Sequence, residues 1–218
     1  EYYKRVQGVF QDPFSSFNPL FKVDRVFDMI FREFIPEVKN KREQIEKALE
    51  SVNLNAENIL GKYPHELSGG QLQRILIARA LLLNADVLIA DELISMLDAS
   101  TRMGVLNLLV DICNREDMAI IFITHDLNLG YYLSDYTLIL REGDLVEQGE
   151  TKKVYNNPVH PYTKMLFESV PSLEDKWNQG EAFLPEQIDE EIKEFYKASP
   201  KSGFIEIEDE HTVLFGDN

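Results

Sequence analysis

Two short apolar runs, Val87-Leu88-Ile89-Ala90 and Ala119-Ile120-Ile121-Phe122-Ile123, each end on charged residues, with a long helical pattern between them. The first stops at Asp91-Glu92 and the second at Thr124-His125-Asp126. Between them, Ser100–Arg115 carries Val105, Leu108, Leu109 and Ile112 as one apolar stripe. Strand, helix and strand in that order predict an α/β fold with a doubly wound sheet. Its site should lie at the carboxyl ends of the strands, where the charges are. Both strands are expected to be buried, and Ala119–Ile123 reads as a continuous apolar strand of the parallel type.

The rest of the chain fits the same class. Val6–Phe10 reads as a strand that Gln11-Asp12-Pro13 brings to a stop. Val23–Phe34, Lys41–Val52 and Ser68–Leu83 carry helical spacing. Thr137–Leu140 and Leu145–Gln148 flank Arg141-Glu142-Gly143-Asp144, a hairpin signal. Beyond Pro171 there are 13 acids against 4 bases, and this shift in composition predicts a boundary between a core, 1–170, and an acidic extension, 171–218. Within that extension Glu186–Lys197 reads as a charged helix and Phe204–Glu208 as an edge strand.

Composition removes several functions. A net charge of −16 argues against a nucleic-acid partner, whose binding face should be basic. One cysteine, Cys113, excludes an internal disulfide framework and any Cys-ligated zinc or iron–sulfur cluster within one chain. The apolar runs are far short of the roughly 20 residues that span a bilayer. A soluble, cytosolic protein is expected.

Three segments carry chemistry. Ser68-Gly69-Gly70-Gln71 opens the strongest helix with capping-box spacing. Its two glycines leave backbone N–H groups open to an anion, although an isolated motif of this kind also reads as a simple helix cap. Asp91 at a strand's carboxyl end can hold Mg²⁺, and Glu92 beside it can reach an attacking water. His125 ends the second strand, in the place where the first delivers its acids.

Taken together, Leu67–Gln71, Asp91-Glu92, Ser95-Met96-Leu97-Asp98 and His125 resemble the signature, Walker B, D-loop and switch-histidine series of ABC-type ATPases. Gln73–Leu81 resembles the family's helix after the signature, and Val9–Pro13 its Q-loop. Ser15–Pro19 and Asn157–Thr163 resemble the oligopeptide/dipeptide importer branch. The resemblance covers roughly residues 6–173 and implies a P-loop NTPase-like domain with a helical signature subdomain at about 20–83. It implies that Gln11 senses Mg²⁺ and the γ-phosphate, Asp91 holds the Mg²⁺ shell, Glu92 orients or deprotonates water, and His125 contacts the γ-phosphate. Ser68, Gly69, Gly70, Gln71 and Asp98 would serve the nucleotide of an opposite subunit. ATP and Mg²⁺ are the implied cofactors, with no iron–sulfur cluster. The implied partners are a second ABC ATPase subunit, transmembrane permease subunits and, indirectly, a substrate-binding protein. The expected place is the cytoplasmic face of the membrane.

Three departures shape the expectation. No G-x-x-x-x-G-K-[ST] phosphate loop occurs, and ten residues precede Gln11. The expected domain is therefore incomplete at its N-terminus, and a chain without that loop is expected to be inactive alone. Leu93-Ile94 stand where most of the family has Pro-Thr, and Ile94-Ser95-Met96 resembles members associated with oligosaccharides. The cysteine cluster that many relatives carry after the His-Pro-Tyr segment is absent. The leading expectation is an ATP-hydrolysing importer subunit for oligopeptides or oligosaccharides. The alternative is a non-catalytic subunit that lends its signature motif to a complete partner. Soluble ABC ATPases of DNA repair or translation fit poorly, since neither a coiled-coil insertion nor tandem cassettes are present.

Overall fold

The computed structural model describes residues 2–95, 97, 99–116, 118–169, 185–198 and 203–215. Its contacts divide the chain into two compact units, Glu1–His125 and Asp126–Asn218. The boundary expected at 171 falls outside the described residues.

The first unit runs α1 (Tyr2–Arg5), β1 (Val6–Val9), α2 (Arg25–Glu33), α3 (Lys41–Ser51), α4 (Ala56–Ile59), α5 (Gly69–Leu82), β2 (Val87–Asp91), α6 (Ala99–Glu116) and β3 (Ala119–Ile123). The three strands form a parallel sheet in the order β1-β2-β3. Val9 pairs with Ala90 and Asp91 with Ile123, so the segments that follow the strands leave the same edge of the sheet. Those segments hold Gln11, Glu92 and His125.

Helix α5 organises the helical part. Ser68 Oγ accepts from the Gln71 amide at 3.3 Å, and Gln71 Oε1 accepts from the Ser68 amide at 2.9 Å. This reciprocal box satisfies donors that a helix start otherwise leaves bare. Leu72, Ile75, Leu76, Ile77, Ala78 and Ala80 are fully buried, so α5 is packed all round rather than along one stripe. Against it lie α2, with buried Phe27, Ile30 and Phe31, and α3, with buried Ile45, Ala48 and Leu49. Asp24 Oδ2 accepts from the Gly61 amide at 2.7 Å, tying the start of α2 to the turn after α4.

Strand β3 corrects the expectation of burial. Ile121 is 50% exposed and Ile123 48%. Their side chains lie on one face of β3, and among the described residues β3 pairs only with β2. Period-two alternation therefore shows through a run that is apolar on both faces.

The second unit holds α7 (Leu127–Leu133), β4 (Tyr136–Arg141), β5 (Asp144–Glu150), α8 (Thr151–Asn156), α9 (Pro161–Glu168), α10 (Pro185–Ala198), β6 (Gly203–Glu208) and β7 (His211–Phe215). Its antiparallel sheet has the order β4-β5-β7-β6. Positive φ at both Glu142 (52°) and Gly143 (100°) gives the β4–β5 hairpin the primed turn that matches strand twist. Ile139, Val146 and Val154 form a small core, flanked by Tyr155, Tyr162, Leu166 and Phe167. Phe195 of α10 stacks on Phe215 of β7, with ring centroids 4.5 Å apart.

A buried polar cluster joins these elements. Glu147 accepts from the Val159 and His160 amides, both at 3.0 Å, and lies 2.7 Å from His211 Nε2. His160 Nδ1 in turn accepts from the Tyr162 amide at 3.2 Å and caps α9, and its Nε2 lies 3.2 Å from the Tyr196 hydroxyl. Burial pushes the His160 imidazole down to about 4, against the opposing pull of Glu147 and with a smaller downward push from Arg141. The fold thus holds a neutral ring, while the unfolded chain takes up a proton near the ordinary value of 6.5. The stabilisation is complete above about 6.5 and is lost as pH falls toward 4. The thermal midpoint should therefore fall between those limits more steeply for the parent than for His160→Gln. Superimposable midpoint-against-pH curves for the two proteins would contradict this.

Candidate functional site

The site is assembled at the carboxyl edge of the parallel sheet. Glu92 follows β2 with φ of 45°, a left-handed conformation uncommon for a residue with a side chain. Such a conformation costs on the order of 1–3 kcal/mol and persists only where its surroundings impose it. The surroundings here are specific. The Glu92 amide donates to the Ile123 carbonyl at 3.0 Å, so β3 holds the start of the turn. The Glu92 carbonyl accepts from the Ser95 amide at 3.1 Å and from Ser95 Oγ at 2.9 Å. Leu93 is fully buried and Ile94 nearly so, which accommodates two apolar residues in this turn without displacing the carboxylate.

The turn places Glu92 Oε1 3.0 Å from His125 Nδ1. The Glu92 side chain is 31% exposed and that of His125 74%, so the pair is open to a ligand or water. Two candidates taken from separate strands are thus in contact. Gln11 is exposed, just beyond β1, and Asp91 ends β2.

The glycines at the start of α5 have unequal surroundings. A Cβ on Gly69 would lie 3.9 Å from Pro13 and 4.0 Å from Phe14, in ordinary contact with the segment that follows Gln11. A Cβ on Gly70 would lie 2.6 Å from Thr101 Cγ2. Gly70→Ala should therefore force α5 and α6 apart and cost about 1–3 kcal/mol, whereas Gly69→Ala should leave stability nearly unchanged. Thermal melts of both variants check the contrast, and equal midpoints would refute it. Asp98 and Met96 lie outside the described residues.

Sequence reasoning missed two side chains of α5. Gln73 is fully buried, and its Nε2 donates to the Leu93 carbonyl, directly after Glu92. Arg79 Nη2 donates to the Gly8 carbonyl of β1 at 3.0 Å, three residues before Gln11, and burial lowers the pKa of its guanidinium. The available signal was polarity: both interrupt an apolar helix at positions that packing alone would fill with carbon.

Among the described residues, no group of three or more His, Cys, Asp or Glu gathers around a common point to hold a metal. Mg²⁺ does not need such a cage; it is commonly held by one or two carboxylates together with substrate phosphates and water. Asp91, the last residue of β2, and Gln11, just beyond the neighbouring β1, carry hard-oxygen donors of the kind this mode uses.

The profile of the ABC transporter family matches residues 1–95, and that of the C-terminal region of oligopeptide/dipeptide transporters matches residues 146–197. The oligopeptide transport ATP-binding protein OppF of Streptococcus pyogenes is 37% identical over 223 residues, which cover 98% of this chain and 68% of that relative. The chain belongs to the ABC transporter ATP-binding family. The dipeptide transport ATP-binding protein DppF of Haemophilus influenzae is 40% identical over 172 residues, 78% of this chain and 52% of that relative. This ABC chain thus spans about half the length of the one and about two thirds of the other. Among solved structures, cbiO1 from Clostridium perfringens, part of the ABC transporter complex cbiONQ, superposes with a TM-score of 0.61 at 29% identity, covering 71% of this chain and 60% of that one. Fold and branch therefore agree with the resemblance carried by the motifs. No helix among the described residues of this ABC chain is long and apolar enough to cross a membrane.

Proposed function

We propose that the chain belongs to the ATP-hydrolysing subunit of an importer, and that the full-length subunit, complete with a phosphate loop, couples hydrolysis to uptake of short peptides through separate permease subunits. The observation that carries this reading is the Glu92–His125 contact at the edge where three parallel strands end. A carboxylate and an imidazole so placed can orient water and meet the charge that develops on a transferring phosphoryl group. The relatives described above carry peptide-transport names, which supports oligopeptides or dipeptides as cargo.

In this reading Glu92 accepts the proton of the attacking water and His125 contacts the γ-phosphate. Bound Mg²⁺ would neutralise phosphate charge, with Asp91 and Gln11 as its protein ligands. The Gly69 and Gly70 amides at the N-terminus of α5 would meet the γ-phosphate held by a second ATP-binding subunit, while the Ser68 and Gln71 amides stay engaged in the capping box. Asp98 would reach across the same dimer interface. The subunit would work on the cytoplasmic face of the membrane. Assembly of the full-length subunit with a second ATP-binding subunit and the permeases, followed by peptide-stimulated ATP turnover in proteoliposomes, tests the reading. Turnover indifferent to every peptide offered would remove the coupling.

A further inference from the structure

We propose that Gln73 is a positioning residue that ties the Glu92 turn to the helix opened by Ser68–Gln71. The inference rests on the functional reading above and extends it. Glu92 sits in a left-handed conformation that its backbone does not favour, so something must hold the peptides on either side of it. On the N-terminal side, β3 supplies the Ile123 carbonyl. On the C-terminal side, the next carbonyl, Leu93 O, accepts from Gln73 Nε2. The Ser95 contacts close the turn upon itself, whereas Gln73 anchors it to a separate element, 20 residues earlier in the chain.

The chemistry of Gln73 favours this role over space filling. The side chain is fully buried, and its Oε1 lies buried without a hydrogen-bond partner. A half-satisfied amide is a poor choice for packing alone, because burying the bare oxygen opposes folding. Leucine or methionine would fill the same volume without that cost. The donor that Gln73 presents to Leu93 is what an apolar residue cannot supply.

The position has a mechanistic consequence. Gln73 lies two residues beyond Gln71, which closes the capping box at the start of α5. In the functional reading, that helix start meets nucleotide held by the second subunit, while Glu92 serves nucleotide held by its own. Gln73 therefore links the two sites within one subunit: a rotation of α5 on engagement shifts the Leu93–Ile94 peptide, one residue beyond Glu92. Arg79 makes a parallel tie from the same helix to Gly8, ahead of Gln11. Two of the three strand ends that carry the candidate site are thus fastened to α5.

The test uses the intact transporter with its full-length ATP-binding subunits and compares the parent with Gln73→Met, Gln73→Leu and Glu92→Gln. Both Gln73 variants keep volume and remove the donor. Mispositioning a catalytic group commonly lowers turnover by about 10- to 100-fold, so kcat should fall by that order while KM for ATP and the thermal midpoint stay at parental values. Parental kcat in both variants would assign Gln73 to packing and overturn the proposal. A joint loss of kcat, KM and thermal midpoint would show general loosening and overturn it as well. A parent that does not hydrolyse ATP, or a Glu92→Gln variant as active as the parent, would instead remove the functional reading, and the proposal with it.

Discussion

In a full-length subunit that carries a phosphate loop, and with Glu92 in the proposed role, Glu92→Gln is expected to leave ATP binding intact and to lower turnover by about 10²–10⁴-fold, the usual cost of losing a positioned general base. The amide is nearly isosteric with the carboxylate and can keep the contact with His125, which spans 3.0 Å between Nδ1 and Oε1. The backbone ties to Ile123, Ser95 and Gln73 do not involve the side chain, so the left-handed turn survives the substitution. What is lost is the ability to take a proton from water. Equilibrium binding of ATP and steady-state turnover in the assembled transporter separate the two effects. Parental turnover would show that Glu92 is not the base.

Much of this edge was legible because its signals are local. Capping-box spacing at Ser68 and Gln71, apolar runs ending at Asp91 and Ile123, and the turn at Glu142-Gly143 each lie within a few residues. Local steric and hydrogen-bonding rules act on that scale. The structure places all three where the spacing predicted. What escaped depends on pairings that no short window contains. Gln73 meets Leu93 across 20 residues, and Glu147 meets His211 across 64. Sequence shows that Gln73 and Glu147 are polar; only the fold shows that both are buried. The exposure of Ile121 and Ile123 escaped for a related reason: an apolar run does not reveal which of its faces a neighbour will cover. The alternation of Phe204–Glu208 was readable as an edge strand. Its partner, β7, was not, because Val213-Leu214-Phe215 is apolar on both faces and shows no alternation.

Glu147→Leu should be the most damaging single change in the second unit, for a reason that lies in the number of donors it leaves bare. The Glu147 carboxylate accepts from the amides of Val159 and His160 and pairs with His211 Nε2. Both Glu147 and His211 are fully buried, so water cannot replace the lost acceptor without opening the sheet. Breaking a buried pair of this kind by removing one partner costs on the order of 3–5 kcal/mol. The loss should concentrate where the cluster joins separate segments. Glu147 lies on β5, Val159 and His160 lead into α9, and His211 opens β7, so protection of the β5–β7 amides should fall first. Hydrogen exchange resolves this better than a single melting curve, since two compact units need not unfold together. Glu147→Leu combined with His211→Leu should recover part of the loss, because replacing both partners with carbon leaves fewer unpaired groups than replacing one. Parental exchange protection in Glu147→Leu would mean that β7 is held by its ladder and by the Phe195–Phe215 stack alone.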